Sequence, residues 1–591
     1  MALSAGFRAL LPAMIFVLLS ACAASPSQRG LVDQQVQDHP PLVQAVARTG
    51  QTPSRLPEAP PVGHHLLILD RGDDALAMRL ELIRAARSSI EIQNYIFLLD
   101  DSGQLLLAEL LGAAARGVRV RLLLDSLFSL PDVSLLAALE LAHPNFELKL
   151  YRPVLDRAVL SDAGFIGAAL CCFHELNQRM HNKLMTVDDR HGLVGGRNHS
   201  ARYFDLDTRM AFVDLEVLVS GAVAIEMRRG FDRFWEHRLA VPPRHARDVN
   251  RLLRAAPPQD LVLERSARVD QLLAELADGA WLERLLAERS FQVGRVEYFS
   301  DLPEDRPDGL SGRAGDSSSL IHATIAAAQR QVVIQTPYVV LSRRFERLFA
   351  ELDDPVEVVV SSNSLASTDA FPVYAVSRKQ RARLLEKLDI QLFEAMPFPA
   401  DPEAFIPRYP ALIEERAAGI ATPMRGDPRQ ATRDMPGPRL SLHAKLVVVD
   451  AQTSIVTSHN LDPRSEIYNT ENGILVEDAA FATALLAFVG AVSHPSSSWV
   501  SAMQPPLFGP LEMVDRSAAR VSRRLPILDL WPRYRFEQYR LPADAEPAAP
   551  GSPEFEDQAE AVGLAPEVVT WQRRWAAAWI SRMMGFIKPI L

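Results

Sequence analysis

Hydrophobic and polar positions alternate in the same order in two stretches of the chain, and each stretch predicts helix, strand, helix, strand. Strands that alternate with amphipathic helices indicate a mostly parallel or mixed sheet flanked by helices, so we predict a duplicated α/β domain rather than a solenoid. The predicted segments are Leu76–Ser89, Ile90–Phe97, Leu105–Ala115 and Val118–Asp125, then Leu320–Gln329, Val332–Val339, Phe345–Leu352 and Val356–Ser361.

Pro-rich and Leu/Ala/Arg-rich segments separate these two units from the rest of the chain. They predict the following division: a lipoprotein signal peptide at 1–21, a Pro-rich linker at 22–62, a first α/β domain at 63–240, a helical bridge at 241–293, a second α/β domain at 294–500 and a C-terminal extension at 501–591 with an interfacial helix near 568–588.

The length of 591 residues agrees with two or more domains, since a typical domain has about 150 residues. A net charge of −10 argues against a general nucleic-acid binder, which usually carries a basic surplus. Three cysteines exclude a disulfide framework. The neighbouring Cys171 and Cys172 would close a strained ring, so we expect two small apolar residues rather than a disulfide.

The N-terminus has the pattern of a secreted bacterial lipoprotein. The apolar run Ala9–Leu19 is too short to cross a bilayer and suits a signal-peptide core. The tetrad Leu19–Cys22 resembles a lipobox, in which Cys22 would be lipidated; an uncleaved anchor or an incorrect start site is the alternative. Ala23 stands where such lipoproteins carry Asp for inner-membrane retention. We expect a cell-envelope protein at the periplasmic face, with the outer membrane favoured over the inner.

Each half contains one copy of the same motif, and the two copies have identical spacing. The pattern resembles the H-x-K-x4-D-x6-G-[GS]-x-N motif of the phospholipase D superfamily, and two copies at equivalent places are a much stronger signal than one. The matching residues are His181, Lys183, Asp188, Gly195, Gly196 and Asn198 in the first half, and His443, Lys445, Asp450, Thr457, Ser458 and Asn460 in the second.

The spacing of the motif has a physical reason. Residues i and i+2 of an extended strand face the same side, so each His projects together with its Lys. Two such strands would place two His, two Lys and two Asn around one pocket. The lysines would balance a phosphodiester charge, with amides and a close backbone at Gly196 and Ser458 binding its oxygens. One imidazole would attack phosphorus while the other protonates the leaving oxygen, so we expect no metal and no cofactor.

The carboxylates of the two halves each allow more than one role. Asp188 and Asp450 are catalytic candidates, and a structural turn role is the equal alternative. A further carboxylate should accept the second N–H of each imidazole. By resemblance to the superfamily, Asp214 and Glu471 hold those positions, and Glu216 competes with Asp214 in the first half.

The resemblance covers most of residues 65–500 and is strongest to bacterial cardiolipin synthases, especially the third type. It implies two phospholipase D-type αβ sandwich domains packed with pseudo-twofold symmetry around one shared active site. It also implies phosphatidyl transfer through a phosphohistidine at His181, with His443 as acid and base. The expected partners are a membrane and phospholipids (phosphatidylglycerol, with phosphatidylethanolamine as a second candidate). The matching stretches outside the motif are Arg116–Val120, Asn363–Asp369, Asn460–Ser465 and Asn469–Glu471.

Other functions also fit the sequence. The same site suits a phospholipase D that hydrolyses lipid to phosphatidic acid, a nuclease-type phosphodiesterase, or a lipid-binding protein with a vestigial site. Two segments suggest membrane contact: a Trp face on a C-terminal helix and the apolar run Gly164–Phe173, although each suits packing on the core as well. Thr457 stands where the motif usually has Gly, and its Cβ would destabilise a left-handed backbone at that position. The oligomeric state stays open. The Trp face consists of Trp571, Trp575 and Trp579.

Overall fold

The computed structural model describes residues 26–42, 52–57, 60, 62–258, 260–303, 315–353, 355–419, 437–504 and 536–563. No helix within these ranges is both long and apolar enough to cross a membrane. The predicted signal peptide, Cys22 and the Trp face near the C-terminus lie outside the described residues.

The first half forms a nine-stranded sheet in the order β10-β1-β8-β6-β5-β2-β3-β4-β9. Its strands are β1 His64–Leu69, β2 Ser89–Asn94, β3 Arg119–Asp125, β4 Phe146–Tyr151, β5 Leu184–Val187, β6 His191–Gly195, β8 Glu216–Gly221, β9 Ala240–Val241 and β10 Ser290–Val293, with β7 Met210–Val213 outside the sheet. The helices of this half and of the bridge are Pro26–Asp38, Gly72–Ala85, Asp101–Ala115, Val133–Glu140, Asp162–Cys171, Phe173–Asn177, Val223–Trp235, Arg247–Ala255, Ala267–Glu275 and Ala280–Glu288.

The second half forms a ten-stranded sheet in the order β11-β18-β17-β16-β12-β13-β14-β19-β20-β21. Its strands are β11 Val296–Ser300, β12 Gln331–Gln335, β13 Glu357–Asn363, β14 Ile390–Ala395, β16 Leu446–Val449, β17 Thr453–Thr457, β18 Asn472–Glu477, β19 Ser498–Met503, β20 Phe536–Arg540 and β21 Glu560–Gly563, with β15 Arg439–Leu442 outside the sheet. The helices are Asp316–Ala326, Arg343–Ala350, Phe371–Ser377, Arg381–Lys387, Tyr409–Ala417, Pro463–Ile467, Ala479–Ser493 and Pro553–Gln558.

The two sheets repeat one topology, which confirms the predicted duplicated α/β fold. Strands β2, β3 and β4 run parallel, as do β12, β13 and β14, and the motif strands β5 and β16 pair antiparallel to the first of each set. The predicted helices lie between these strands. The helix Asp101–Ala115 is capped by Asp100, whose side chain accepts a hydrogen bond from the Gly103 N–H, and is followed by Gly117 at φ 98°, which only glycine adopts readily.

The predicted ends of two strands differ from the structure. β2 stops at Asn94 rather than Phe97 because the Asn94 side chain accepts a hydrogen bond from the Ile96 N–H and turns the chain. β12 likewise stops at Gln335, and Pro337, which has no N–H for a ladder, follows two residues later.

The two sheets share one core. A single cluster of buried apolar side chains joins strands of the first half to strands of the second, including Val194 and Val217 on one side and Leu446, Val456 and Ile474 on the other. Packing of this kind excludes water from the facing surfaces of the two sheets, and the contacts hold the sheets in one relative position. The motif strands of both halves are therefore held at the same interface.

Short parallel pairings cross from one half to the other. β7 of the first half pairs with β15 of the second, and Met180 forms a matching bridge with Thr470. These two crossings occupy equivalent places in the duplicated fold. Each of them ends next to a motif histidine, since β15 runs directly into His443 and Met180 precedes His181.

Three sequence-based expectations change in the structure. Cys171 and Cys172 form a disulfide, contrary to the expected pair of thiols. They lie where the helix Asp162–Cys171 breaks, and Cys172 takes φ −134° and ψ 41° there, which turns the two side chains together. The predicted helical bridge ends in β10, which joins the first sheet, and the predicted C-terminal extension supplies β20 and β21 to the second.

The apolar segment Gly164–Phe173 is not part of the core. It forms most of a surface helix on which Phe165, Ile166 and Leu170 are 45%, 62% and 84% exposed. Only Ala168 of this helix is buried, against Val154 and Leu176.

Candidate active site

The motif histidines and lysines lie just before β5 and β16 rather than inside them, but the predicted side-chain direction holds. Lys183 Nζ donates to the carbonyl of His181 at 2.8 Å, and Lys445 Nζ donates to the carbonyl of His443. Each lysine therefore folds back beside its own histidine. The residue between them points away: Asn182 bonds with Ser300 and Thr470, and Ala444 is buried in the shared core.

Each imidazole is bound by a carboxylate of the opposite half. Nδ1 of His181 lies 2.8 Å from Glu471 Oε2, and Nδ1 of His443 lies 2.7 Å from Asp214 Oδ2. An ionised carboxylate only accepts, so Nδ1 of each ring donates to it and Nε2 keeps a lone pair. Lys445 Nζ also lies 2.8 Å from Nδ1 and 3.1 Å from Nε2 of His443. The structure thus brings the predicted orienting residues into contact with the two histidines.

The interdomain crossings explain this exchange of partners. The His443 N–H donates to the carbonyl of Val213, which places the ring beside Asp214. The His181 N–H donates to the carbonyl of Thr470 at 3.0 Å, which places the ring beside Glu471. Because each histidine is anchored through its backbone to the neighbour of its carboxylate, neither dyad can form within one half.

A buried ion pair fixes the approach to His181. The guanidinium of Arg179 binds Asp125 at 2.8 Å with both side chains fully buried, and the same carboxylate accepts from the Met180 N–H at 3.0 Å. Asn472 then holds Lys183 through its backbone, accepting from the N–H at 2.9 Å and donating to the carbonyl at 3.1 Å. These contacts leave the His181 backbone little freedom to move.

Burial governs the protonation of the site. It lowers the pKa of Lys183 to about 7 and the pKa of Lys445 to about 8, even though carboxylates nearby favour the charged forms. Burial and the charge of Lys445 lower the pKa of His443 to about 4, and burial with Lys183 and Lys445 lowers the pKa of His181 well below its usual value. Both imidazoles are therefore neutral near pH 7 in the free protein.

The two orienting carboxylates differ in the direction of their pKa shifts. Burial raises the pKa of Glu471 above its usual value, and the positive groups around it do not fully offset this. Burial also opposes ionisation of Asp214, but His443, Lys445 and Arg197 together hold its pKa below the usual value. Glu216, the competing candidate, instead forms a buried ion pair with Arg79 at 2.6 Å.

Asp188 and Asp450 do not contact the histidines, which corrects their assignment as catalytic residues. Each lies at the far end of the motif strand and accepts hydrogen bonds from three consecutive backbone amides of a preceding turn. Both have left-handed backbones, with φ 54°, which Asp tolerates in turns. These contacts support the alternative role, in which each carboxylate stabilises a turn. The amides belong to Arg87, Ser88 and Ser89 for Asp188, and to Gln329, Arg330 and Gln331 for Asp450.

Gly196 and Ser458 also serve the carboxylates rather than an open phosphate site. A Cβ on Gly196 would lie 2.2 Å from Asp214 Oδ1, so glycine leaves the space that this carboxylate fills. At the equivalent place, the Ser458 hydroxyl donates to Glu471 and accepts from the Asn472 N–H at 3.0 Å. Thr457 does not have a left-handed backbone, so the expected strain is absent there.

Asn198 and Asn460 are buried, and the Oδ1 atom of each has no hydrogen-bond partner among the described residues. Asn198 Nδ2 donates to the Tyr203 hydroxyl at 2.9 Å, and this hydroxyl lies 3.3 Å from His443 Nε2. On the other side, the ring of Tyr95 stands edge-on to His181 at 4.8 Å. The sequence reading missed both tyrosines because they lie outside the motif, although Tyr203 follows Asn198 by five residues.

In chemical terms, the site contains two neutral imidazoles, two buried lysines and two buried amides. Among the described residues, no group of three or more His, Cys, Asp or Glu side chains could hold a metal ion.

Comparison with known proteins finds the following similarities. A family model described as "Cardiolipin synthase, PLD-like domain" matches residues 80–235 and 321–489. Cardiolipin synthase C of Escherichia coli strain K12 is 29% identical over 487 residues, which cover 79% of this chain and 93% of that protein. An uncharacterized protein of Helicobacter pylori strain J99 is 28% identical over 440 residues, 73% of this chain and 80% of that one. A solved structure, phosphatidylserine synthase of Haemophilus influenzae Rd KW20, matches with a TM-score of 0.49 and 15% identity, over 84% of this chain and 99% of that chain.

Proposed function

Because the chain belongs to the cardiolipin synthase, PLD-like family of the phospholipase D superfamily, we propose that it transfers phosphatidyl groups between glycerophospholipids through a phosphohistidine. Membership of this family makes it a phosphatidyltransferase or phosphodiesterase. The name of its relative cardiolipin synthase C favours cardiolipin as the product. The observation that carries the proposal is the crosswise pair of dyads, which joins both motif copies in one buried site.

In the first step, Nε2 of His181 attacks the phosphorus of a phospholipid and the bond to the head alcohol breaks. Glu471 supports this role because it holds the ring proton on Nδ1 at 2.8 Å. His443 protonates the departing alkoxide. A phosphodiester anion bound between the rings favours the charged imidazole, so His443 gains proton affinity when substrate binds. Lys183 and Lys445 balance the negative charge of the transferring group.

In the second step, His443 takes the proton of an incoming hydroxyl, which then attacks the phosphohistidine. If the hydroxyl belongs to phosphatidylglycerol, the product is cardiolipin; if it is water, the product is phosphatidic acid. Transfer requires water to be kept from the intermediate. The burial of both dyads favours transfer over hydrolysis.

The test is product analysis with purified protein and labelled phosphatidylglycerol, with and without phosphatidylethanolamine, and separately with DNA. Labelled cardiolipin is the expected product. Phosphatidic acid alone would identify a hydrolase, and cleavage of DNA without any lipid product would refute the proposal. Mass spectrometry after a quench that preserves phosphohistidine should find the adduct on His181, and an adduct on His443 would reverse the two roles.

We also propose that the enzyme is anchored at the periplasmic face of the envelope through Cys22, with the outer membrane favoured. The lipobox-like tetrad supports this anchor, and the face of Trp571, Trp575 and Trp579 is a second contact. Fractionation of Cys22→Ala, of a triple Trp→Ala variant and of both together tests it. Cys22→Ala should release most of the protein, whereas release by the triple variant alone would show that Cys22 is not a working anchor.

A further inference from the structure

The two histidines have different neighbours on the side that faces the reaction. The His181 ring contacts Tyr95, and Tyr95 contacts Phe128, with 5.3 Å between their ring centres. Phe128 is 41% exposed. The Nε2 atom of His443 instead faces the Tyr203 hydroxyl at 3.3 Å. Both rings also have aromatic neighbours, since His443 contacts the rings of Tyr203 and Phe212, and the Tyr95 hydroxyl accepts a hydrogen bond from Arg464. The difference between the two sides is that a hydroxyl faces Nε2 of His443.

The side of Tyr95 and Phe128 continues onto the surface helix described above. Leu127, next to Phe128, packs against the small cluster that buries Ala168 of this helix. The exposed side chains Phe165, Ile166 and Leu170 belong to the same helix. An apolar surface that begins next to His181 suits the acyl chains of a phosphatidyl group attached to that residue.

The side of His443 includes a carboxylate. Tyr338 donates a hydrogen bond to Asp369 Oδ1 at 2.7 Å, and both side chains are partly exposed. The loop that bears Asp369 is bound to the strand that runs into His443: Asn363 bonds to both backbone groups of Leu442 at 2.8 Å. Arg439 at the start of that strand donates to the carbonyls of Ala366 and Thr368 at 2.9 Å.

The effect of the Asp369 charge on neighbouring groups agrees with a position near His443. The charge of Asp369 acts on His443 and Lys445, where it partly offsets the effect of burial on the pKa of each group. It also contributes to raising the pKa of Tyr203, after burial. Asp369 therefore lies on the His443 side, where the proposed mechanism places the head alcohol.

We propose that Asp369, Tyr338 and Tyr203 form a head-group subsite, which binds an alcohol that carries a further hydrogen-bond donor. This inference rests on the proposed function. A carboxylate can only accept hydrogen bonds, so it recognises a second hydroxyl or an ammonium group on the head alcohol. During transfer, the bond between phosphorus and the head oxygen breaks, the bond between phosphorus and His181 forms, and the proton of His443 passes to the head oxygen. Asp369 takes no proton in this step.

Three lipids with the same acyl chains test the subsite, since they differ only in the head alcohol. Phosphatidylglycerol offers a hydroxyl donor, phosphatidylethanolamine offers an ammonium donor, and phosphatidylethanol offers none while still requiring protonation of its alkoxide. The assay measures release of each head alcohol from detergent micelles by the full-length protein. The wild type should prefer at least one donor-bearing lipid over phosphatidylethanol by about 10-fold, which is typical of one hydrogen bond to a charged group.

Asp369→Asn should reduce that preference about 10-fold, so turnover of the donor-bearing lipid should fall more than turnover of phosphatidylethanol. Tyr338→Phe should shift it in the same direction, and it provides a second test if the first variant does not fold. The matched control is Asp260→Asn, because Asp260 is exposed in the bridge. The lipid whose advantage is lost identifies the recognised donor as hydroxyl or ammonium.

An equal loss on all three lipids would overturn the subsite, because it would show that Asp369 acts only through His443. Unchanged rates on all three would overturn it as well. If the wild type turns over none of the lipids, the proposed function is refuted and the subsite with it. That result is distinct from lipid turnover that does not depend on Asp369, which would refute the subsite alone.

Discussion

Replacing Gly196 with alanine should disable His443 without touching it. The added Cβ would lie 2.2 Å from Asp214 Oδ1 and 2.8 Å from its Cγ, where real Cβ contacts stay above 3.0 Å. Asp214 cannot easily retreat, because Oδ1 accepts from the Leu215 N–H at 2.8 Å and Oδ2 binds His443 at 2.7 Å. Gly196 has no left-handed backbone, so the effect comes from this contact rather than from φ.

The magnitude follows from the required movement. Restoring an ordinary contact displaces the Asp214 carboxylate by about 1 Å, and a misplacement of that size typically costs ~10²-fold in rate. Complete loss of a carboxylate that orients a catalytic imidazole costs ~10⁴-fold in serine proteases. We therefore expect kcat for lipid turnover to fall by ~10²- to 10⁴-fold, with a smaller change in KM because both lysines remain in place.

The assay is initial-rate kinetics on phosphatidylglycerol micelles, with circular dichroism and thermal unfolding to confirm the fold. The matched control is Gly490→Ala, on the helix Ala479–Ser493, where no atom lies within 4 Å of an added Cβ. It should keep full activity. Combining Gly196→Ala with Asp214→Asn should cost little more than either change alone, because both act through one contact. Wild-type kcat in Gly196→Ala, or independent effects in the double variant, would refute the reasoning.

Three further predictions follow from the site. Asp188→Ala should keep kcat but lower the free energy of unfolding, because three backbone amides lose their acceptor. The loss should be ~1–3 kcal/mol, and toward the lower end because the Asp188 side chain is half-exposed and solvent screens its interactions. The pKa of Asp188 is lowered because its backbone hydrogen bonds outweigh burial, so this stability is present above the pKa of the unfolded chain and disappears as pH falls through the pKa of the folded protein. Chemical denaturation of the wild type and the variant at neutral and acid pH measures the difference. A large loss of kcat would contradict the structural role. The kcat/KM should fall as pH rises through about 7 to 8, where Lys183 and Lys445 lose their protons, and a profile flat to pH 10 would contradict these values. Glu471→Gln should slow formation of the phosphohistidine in rapid-quench experiments, because Glu471 orients His181 across the domain interface; normal adduct formation would refute this.

Much of the fold was predictable because it follows from local pattern. The spacing of apolar residues distinguishes helix from strand within a few positions, and the duplication shows as the same order of elements in both halves. The motif identified both His/Lys pairs, and the expectation of orienting carboxylates at Asp214 and Glu471 agrees with the observed contacts. These features depend on residues near one another in the chain, or on a pattern that appears twice.

The partners within the site depended on how the halves pack. The sequence could not show that Glu471 binds the histidine of the first half while Asp214 binds that of the second, since this exchange is produced by the Met180–Thr470 and β7–β15 crossings. The positions of Tyr203 and Asp369 near His443 depend on the same packing. Asp188 follows its lysine closely in sequence, yet the strand carries it away from the histidine.

The chain by itself determined the duplicated α/β architecture, the two sets of reacting groups and hence the class of chemistry, because periodicity and motif spacing are properties of local sequence. Only the tertiary structure decided which carboxylate serves which imidazole, that Gly196 and Ser458 shape the dyads, that Asp188 and Asp450 brace turns, and that the Tyr203 hydroxyl faces His443. These features arise from contacts between residues distant in sequence, which form when the two sheets bury their shared apolar core.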